Sequence, residues 1–360
     1  MRSFKRKSMV GLAISAIGLA VVVLAVFWPA SQSTKDKVTA LPVSDQCQIK
    51  STVTYSCYKE QLTTITEKQG PEKASELIKQ AYPNSAYVKS QCHQLMHVVG
   101  RAALAKYGNI ADTYTHGDQF CWSGYYHGAL EQLASQKGLR FLVQNANSIC
   151  AGVKTSIPRS FYHYNCVHGM GHGYMFVEAG ELFKSLADCD SLTDTWERTS
   201  CYGGIFMQNI MNEQAPDEKA DHTSKYLKVD QPMYPCTAVA EQYKDQCYLM
   251  QTSYALQVEN YNFPKVFELC AAADRTYRDT CYTSLGRDAS GNSISNVEKT
   301  RATCLMGTTF EAQKFCVHGA AMDFVSYFHS DQQANQLCAG LPDNLSTGCR
   351  ETVKNYYSTF

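Results

Sequence analysis

The chain has 360 residues with 33 basic and 33 acidic side chains, so its formal net charge is zero. That balance excludes charge-driven capture of nucleic acid, and no nucleic-acid partner is expected. The length suffices to bury a core unaided, so the sixteen cysteines are not the frame of a miniature protein and call instead for an oxidising compartment.

In chain order, residues 1–8 carry Arg2, Lys5, Arg6 and Lys7 and form a basic flank. An uncharged apolar run over 9–30 follows, long enough to cross a bilayer as a helix. The flank is expected to stay in the cytoplasm, which makes the chain a single-pass membrane protein with an extracytoplasmic or extracellular C-terminal domain. Around Trp28-Pro29-Ala30-Ser31 there is no small-x-small cleavage site, so an uncleaved anchor is preferred to a signal peptide. Residues 31–45 are polar and read as a tether.

Beyond the tether the cysteines fall into successive pairs: Cys47 and Cys57, Cys92 and Cys121, Cys150 and Cys166, Cys189 and Cys201, Cys236 and Cys247, Cys270 and Cys281, Cys304 and Cys316, Cys338 and Cys349. The last four first members, at 236, 270, 304 and 338, keep a step of 34, which marks an αα-repeat. Apolar residues recur at helical spacing in the segments that end in one cysteine and in those that begin with the next. On a single unbroken helix, eleven residues would hold Cys270 and Cys281 roughly 16 Å apart, far beyond the ~4.4–6.8 Å that a disulfide allows. A turn within each pair removes that obstacle, so pairing between successive cysteines is preferred to bridges joining two cysteines of one helix to two of its neighbour. The pair Cys92 and Cys121, 29 positions apart, fits the scheme least well.

In this period and cysteine placement, best over 150–349, the chain resembles tetratricopeptide-type αα-repeat proteins of the secreted, disulfide-stapled kind. The Trp, Leu-Gly, Tyr and Pro positions of the standard repeat are missing, so the resemblance implies architecture and no functional residues. The fold class it implies is an all-α solenoid with one disulfide per helix pair, preceded by the N-terminal transmembrane helix. Histidine-rich repeats occupy 46–212, a long polar loop 213–235 and regular 34-residue repeats 236–360.

Counting from the second cysteine of each pair, offset six carries His127, His172 and Met207, and offset two carries His168 and His318. Offsets two and six share a helix face, and stacked repeats bring equivalent positions side by side. The helix that begins at Cys92 adds His93 and His97. His97, His127, His168 and His172 are therefore expected on one surface as ligands of a transition metal ion (zinc, copper or iron), with His93 and Met207 as secondary candidates. Glu131 and Glu178 are the candidates for an added carboxylate ligand or an acid–base group. The competing explanation is that these histidines and their glycines only pack helix on helix. No Gly-x-Ser-x-Gly, phosphate-loop, His-Glu-x-x-His or Cys-x-x-Cys-His motif occurs.

The expected function is that of a membrane-anchored, extracytoplasmic metal-binding repeat protein, with metal-dependent catalysis open to it. The alternative is a non-catalytic solenoid that holds a peptide or protein partner on a concave, tyrosine-lined face.

Overall fold

Asn, Ser and Thr before the apolar runs become helix caps: Ser85 accepts from the Val88 amide, Ser160 from His163 and Thr309 from Ala312. Each such cap contributes about 1 kcal/mol. Pro71 and Pro264 lie in the first turn of their helices, where a missing N–H costs nothing. Gly108, in the left-handed region at φ 81°, ends the longest helix of the first third.

The computed structural model describes residues 44–214, 224–293 and 296–359. The basic flank, the expected membrane anchor, nearly all of the tether and the 215–223 part of the long loop lie outside the described residues. Among the described residues there is no strand, and no helix is long and apolar enough to cross a membrane.

The helices of the first half are α1 (Gln46–Ile49), α2 (Tyr55–Gln69), α3 (Pro71–Ala81), α4 (Ala86–Tyr107), α5 (Ile110–Thr115), α6 (Gly124–Ile149), α7 (Phe161–Val177), α8 (Leu182–Cys189) and α9 (Thr195–Gln214). Those of the second half are α10 (Glu241–Val258), α11 (Phe263–Ala272), α12 (Arg278–Asn292), α13 (Val297–Cys304), α14 (Phe310–Phe328), α15 (Gln332–Ala339) and α16 (Asp343–Tyr357). The long helices α2, α4, α6, α7, α9, α10, α12, α14 and α16 pack each on the next, and most of the short ones lie against the two long helices they connect.

All sixteen cysteines are bridged, each to its neighbour along the chain, with Cα atoms 5.3–5.9 Å apart. A bridge that closes a loop of about 12 residues contributes roughly 2–3 kcal/mol. One expectation needs correction: the second cysteine does not open its helix. Cys166, Cys201, Cys247, Cys281, Cys316 and Cys349 all lie inside the first two turns, because capping and polar residues upstream start the helix earlier. Cys92 also lies well inside α4, and its bridge to Cys121 joins one long helix to the threshold of the next.

Glycine sets how closely the long helices cross. A Cβ on Gly171 of α7 would lie 2.2 Å from the Cys201 carbonyl oxygen of α9, and one on Gly204 of α9 would lie 1.9 Å from the His168 carbonyl of α7. The same reciprocal contact, a carbonyl three residues ahead of a glycine on each helix, recurs between α4 and α6 (Gly100, Gly128) and between α12 and α14 (Gly286, Gly319). The helix propensity lost at glycine is therefore offset by backbone contact with a neighbouring helix. In Gly319→Ala the new methyl would sit 1.8 Å from the Thr283 oxygen. The helices must separate, at a cost of about 1–3 kcal/mol or more. Urea titration should show this loss, whereas Gly291→Ala, whose Cβ would meet only Trp122 at 3.5 Å, should unfold like the parent.

The row of long helices also turns back on itself. The Trp122 indole N–H donates to Asp323 at 3.2 Å, and the Trp122 and Phe120 rings lie against Tyr327 of α14. Residues before α6 thus touch residues about 200 positions later. The described end of the long loop is fastened down: Lys225 and Tyr226 hold Glu181, and the Gln251 amide donates to the Pro232 and Tyr234 carbonyls.

Candidate metal centre

The crossings of α4, α6 and α7 place six side chains together. His93 and His97 come from α4, His127 and Glu131 from α6, and His168 and His172 from α7. Neighbouring imidazole centroids lie 4.6–5.7 Å apart. The expected surface is in fact an interior: His97, His127, His168 and His172 are at most 2% exposed, and His93 alone is half-buried. Close glycine crossings help to bury them: Cβ atoms on Gly124 and Gly128 of α6 would meet His97, and on Gly203 and Gly204 of α9 would meet His168.

The outer ring nitrogens are held by protein acceptors. His97 Nδ1 lies 2.9 Å from the Glu131 carboxylate, His172 Nδ1 2.6 Å from the Gln208 side-chain oxygen and His93 Nδ1 2.8 Å from the Cys121 carbonyl. His168 Nδ1 lies 3.2 Å from the Tyr164 hydroxyl, and the ring is also hydrogen-bonded to the Ser200 backbone. Each acceptor fixes the proton on Nδ1 and leaves a lone pair on Nε2. On His97, His168 and His172 that Nε2 is buried with no hydrogen-bond partner. An orphaned buried acceptor costs about 1–3 kcal/mol, and three in one cluster call for a shared cause. Outer acceptors that turn several imidazoles inward are the usual support of a metal site.

His127 adds a sharper constraint. The Asn165 amide N–H₂ donates to the Phe161 carbonyl at 2.9 Å, so its oxygen faces His127 Nε2 at 3.3 Å and that nitrogen carries the proton. The His127 Nδ1 lone pair then faces the His93 Nε2 lone pair at 3.4 Å. Two lone pairs so placed repel unless a cation lies between them. A tetrahedral ion with bonds of about 2.05 Å holds its ligand nitrogens about 3.35 Å apart.

Donor atoms within 4.8 Å of one another form three overlapping triads: His93, His97 and His127; His127, His168 and His172; His97, Glu131 and His172. Within the last, the Glu131 oxygens are already engaged, one by His97 and the other by Arg101 at 2.6 Å, with Arg101 also held by Tyr55 at 2.9 Å. Glu131 is thereby placed to orient His97 rather than to move protons.

Burial first, and neighbouring imidazoles after it, keep His93, His127, His168 and His172 uncharged. His93 and His168 are pushed down to about 3, and His127 and His172 well below the ordinary histidine value. Burial alone would raise Glu131, but His97 and Arg101 outweigh it and hold the carboxyl well below the usual range. Near neutral pH these four imidazoles are therefore neutral, the form that binds metal.

The other candidates lie elsewhere. Glu178 caps the end of α7, 3.9 Å from Lys184 and beside Asp188, and belongs to none of the triads. Met207 is half-buried on α9, one residue before Gln208. His318 packs against Phe315 and shares no triad. Tyr125, Tyr126 and Tyr174 are fully buried packing residues. Reasoning from offsets missed Arg101, Asn165 and Gln208, although each lies about one period or one helical turn from a histidine. No protein-family model, no curated protein and no solved structure matches this chain.

Proposed function

We propose that the protein is an extracytoplasmic metal-binding protein on an αα-repeat framework, tethered through residues 9–30, whose α4–α6–α7 crossing holds a transition metal ion. The ligands are His93, His97, His127, His168 and His172, and Glu131 and Gln208 set the orientation of two of them. The observation that carries this is a shared arrangement: outer nitrogens set against protein acceptors, and inner nitrogens buried and, on His97, His168 and His172, without a partner. Every cysteine is in a disulfide, so the donors are nitrogen, a set that suits zinc, copper or iron. Three overlapping triads also leave room for more than one ion or for an open coordination position, and the latter is what metal-dependent catalysis requires. A concave tyrosine groove for a peptide has less support, because the tyrosines beside the histidines mostly lie in the core.

Metal that binds only the folded chain stabilises it by RT ln(1 + [L]/Kd), about 2.7 kcal/mol at a hundredfold excess over Kd. Dialysis against a strong chelator is therefore expected to lower the melting temperature by several degrees, and addition of the right metal to restore it. A melting temperature indifferent to both treatments would count against the site.

A further inference from the structure

Beside the histidine cluster lies an open chamber of about 360 Å³ lined by α4, α9, α10 and α12 together with Trp122. His93, the half-buried histidine of the cluster, forms part of its wall, and Met207 of α9 lines it too. His93 is thus the member of the cluster that borders a cavity. Exposed Ser90, Tyr261 and Asn292 mark its mouth.

We infer that this chamber receives a small, uncharged aromatic molecule bearing a hydroxyl oxygen, which reaches the metal alongside His93. The inference rests on the metal reading above. Volumes of this order accept drug-sized ligands, so a one- or two-ring molecule fits. Trp122, Met207, Met211 and Met250 supply an indole face and thioethers, both of which favour aromatic rings. The charges deep in the wall cancel: Arg287 pairs with Asp288 at 2.8 Å, and its guanidinium is further used by the Leu249 carbonyl at 2.7 Å and Ser253 at 3.0 Å. The Arg287 guanidinium is thus already used and is not left to draw in a carboxylate. Lys89 is the remaining cation of the lining.

Gly291 gives the test, since a Cβ there meets only Trp122 at 3.5 Å and a longer side chain has the chamber to grow into. The full-length chain is loaded with Co(II), and its visible bands are followed as phenol is added. Wild type and Gly291→Ala should show a saturable shift. Gly291→Leu should keep its cobalt and need at least tenfold more phenol, while benzoate should bind more weakly than phenol throughout. Cobalt bound normally but indifferent to phenol, or a Gly291→Leu response equal to wild type, would overturn the chamber as the port while leaving the metal centre standing. Benzoate binding more tightly than phenol would overturn the uncharged class. Failure to take up Co(II) would remove the metal reading, and the inference with it.

Discussion

His172→Ala is expected to strip the protein of its metal while leaving it folded. The substitution removes one inward nitrogen, and no other side chain can fill the position because Gln208, its outer partner, points an amide oxygen at the ring and not at the centre. The eight disulfides and the apolar core persist, so circular dichroism should remain helical. Replacing an outer partner alone typically costs about 10–100-fold in metal affinity, so Gln208→Ala should fall in that range and His172→Ala beyond it. His97→Ala and His127→Ala should behave like His172→Ala, since each of these three histidines belongs to two of the three triads. His318→Ala is the control: it copies His168 in a C-terminal repeat without histidine neighbours, and its metal content should match wild type. A His318 variant that loses metal while His127 and His172 variants retain it would leave helix packing as the explanation of the histidines.

The metal-free protein should be sensitive to acid well above the carboxylate range. His93 and His168 are held at about 3 when folded, against about 6.5 when unfolded, so between those values the unfolded chain binds more protons and stability falls as pH falls. Each takes about 1.4 kcal/mol per pH unit, roughly 2 kcal/mol by pH 5, and the depressed His127 and His172 act in the same direction. Glu131 adds its loss at still lower pH, as its depressed carboxyl is protonated. Asp188 and Asp323, raised to about 6 by burial, oppose this between about 6 and 4, when the folded state binds the extra protons. Four histidines against two aspartates leave a net loss. Urea midpoints measured at pH 7, 6 and 5 after chelation should fall steadily, and bound metal should flatten the curve. Equal midpoints across this range would mean that the histidines are not held neutral.

Much of the framework was legible because the physics behind it is local. Helical spacing, caps and the distance limit on disulfides suffice to pair Cys270 with Cys281 or Cys338 with Cys349. The step of 34 carried further than it was used: His93 and His127 are 34 apart, His97 and Glu131 34, His172 and Gln208 36, and His127 and Asn165 38. Adding one period to His93 and His97 would therefore have found His127 and Glu131 on the next helix, while Gln208 and Asn165 lie two and four residues beyond that step. Aligning on the cysteines instead misjudged His93, because the Cys92–Cys121 bridge joins two long helices and its registry differs from the rest. The chamber beside His93 was not legible. It depends on Trp122 reaching Asp323 and on α4 and α12 lining one cavity, contacts across roughly 200 residues that no repeat period encodes.

Elemental analysis of the purified chain, set against its protein concentration, tests the central claim most directly. At least one zinc, copper or iron ion per chain is expected, retained through gel filtration and lost with His172→Ala. Wild-type protein that carries no metal as isolated, and takes up none after reconstitution near neutral pH, would contradict it.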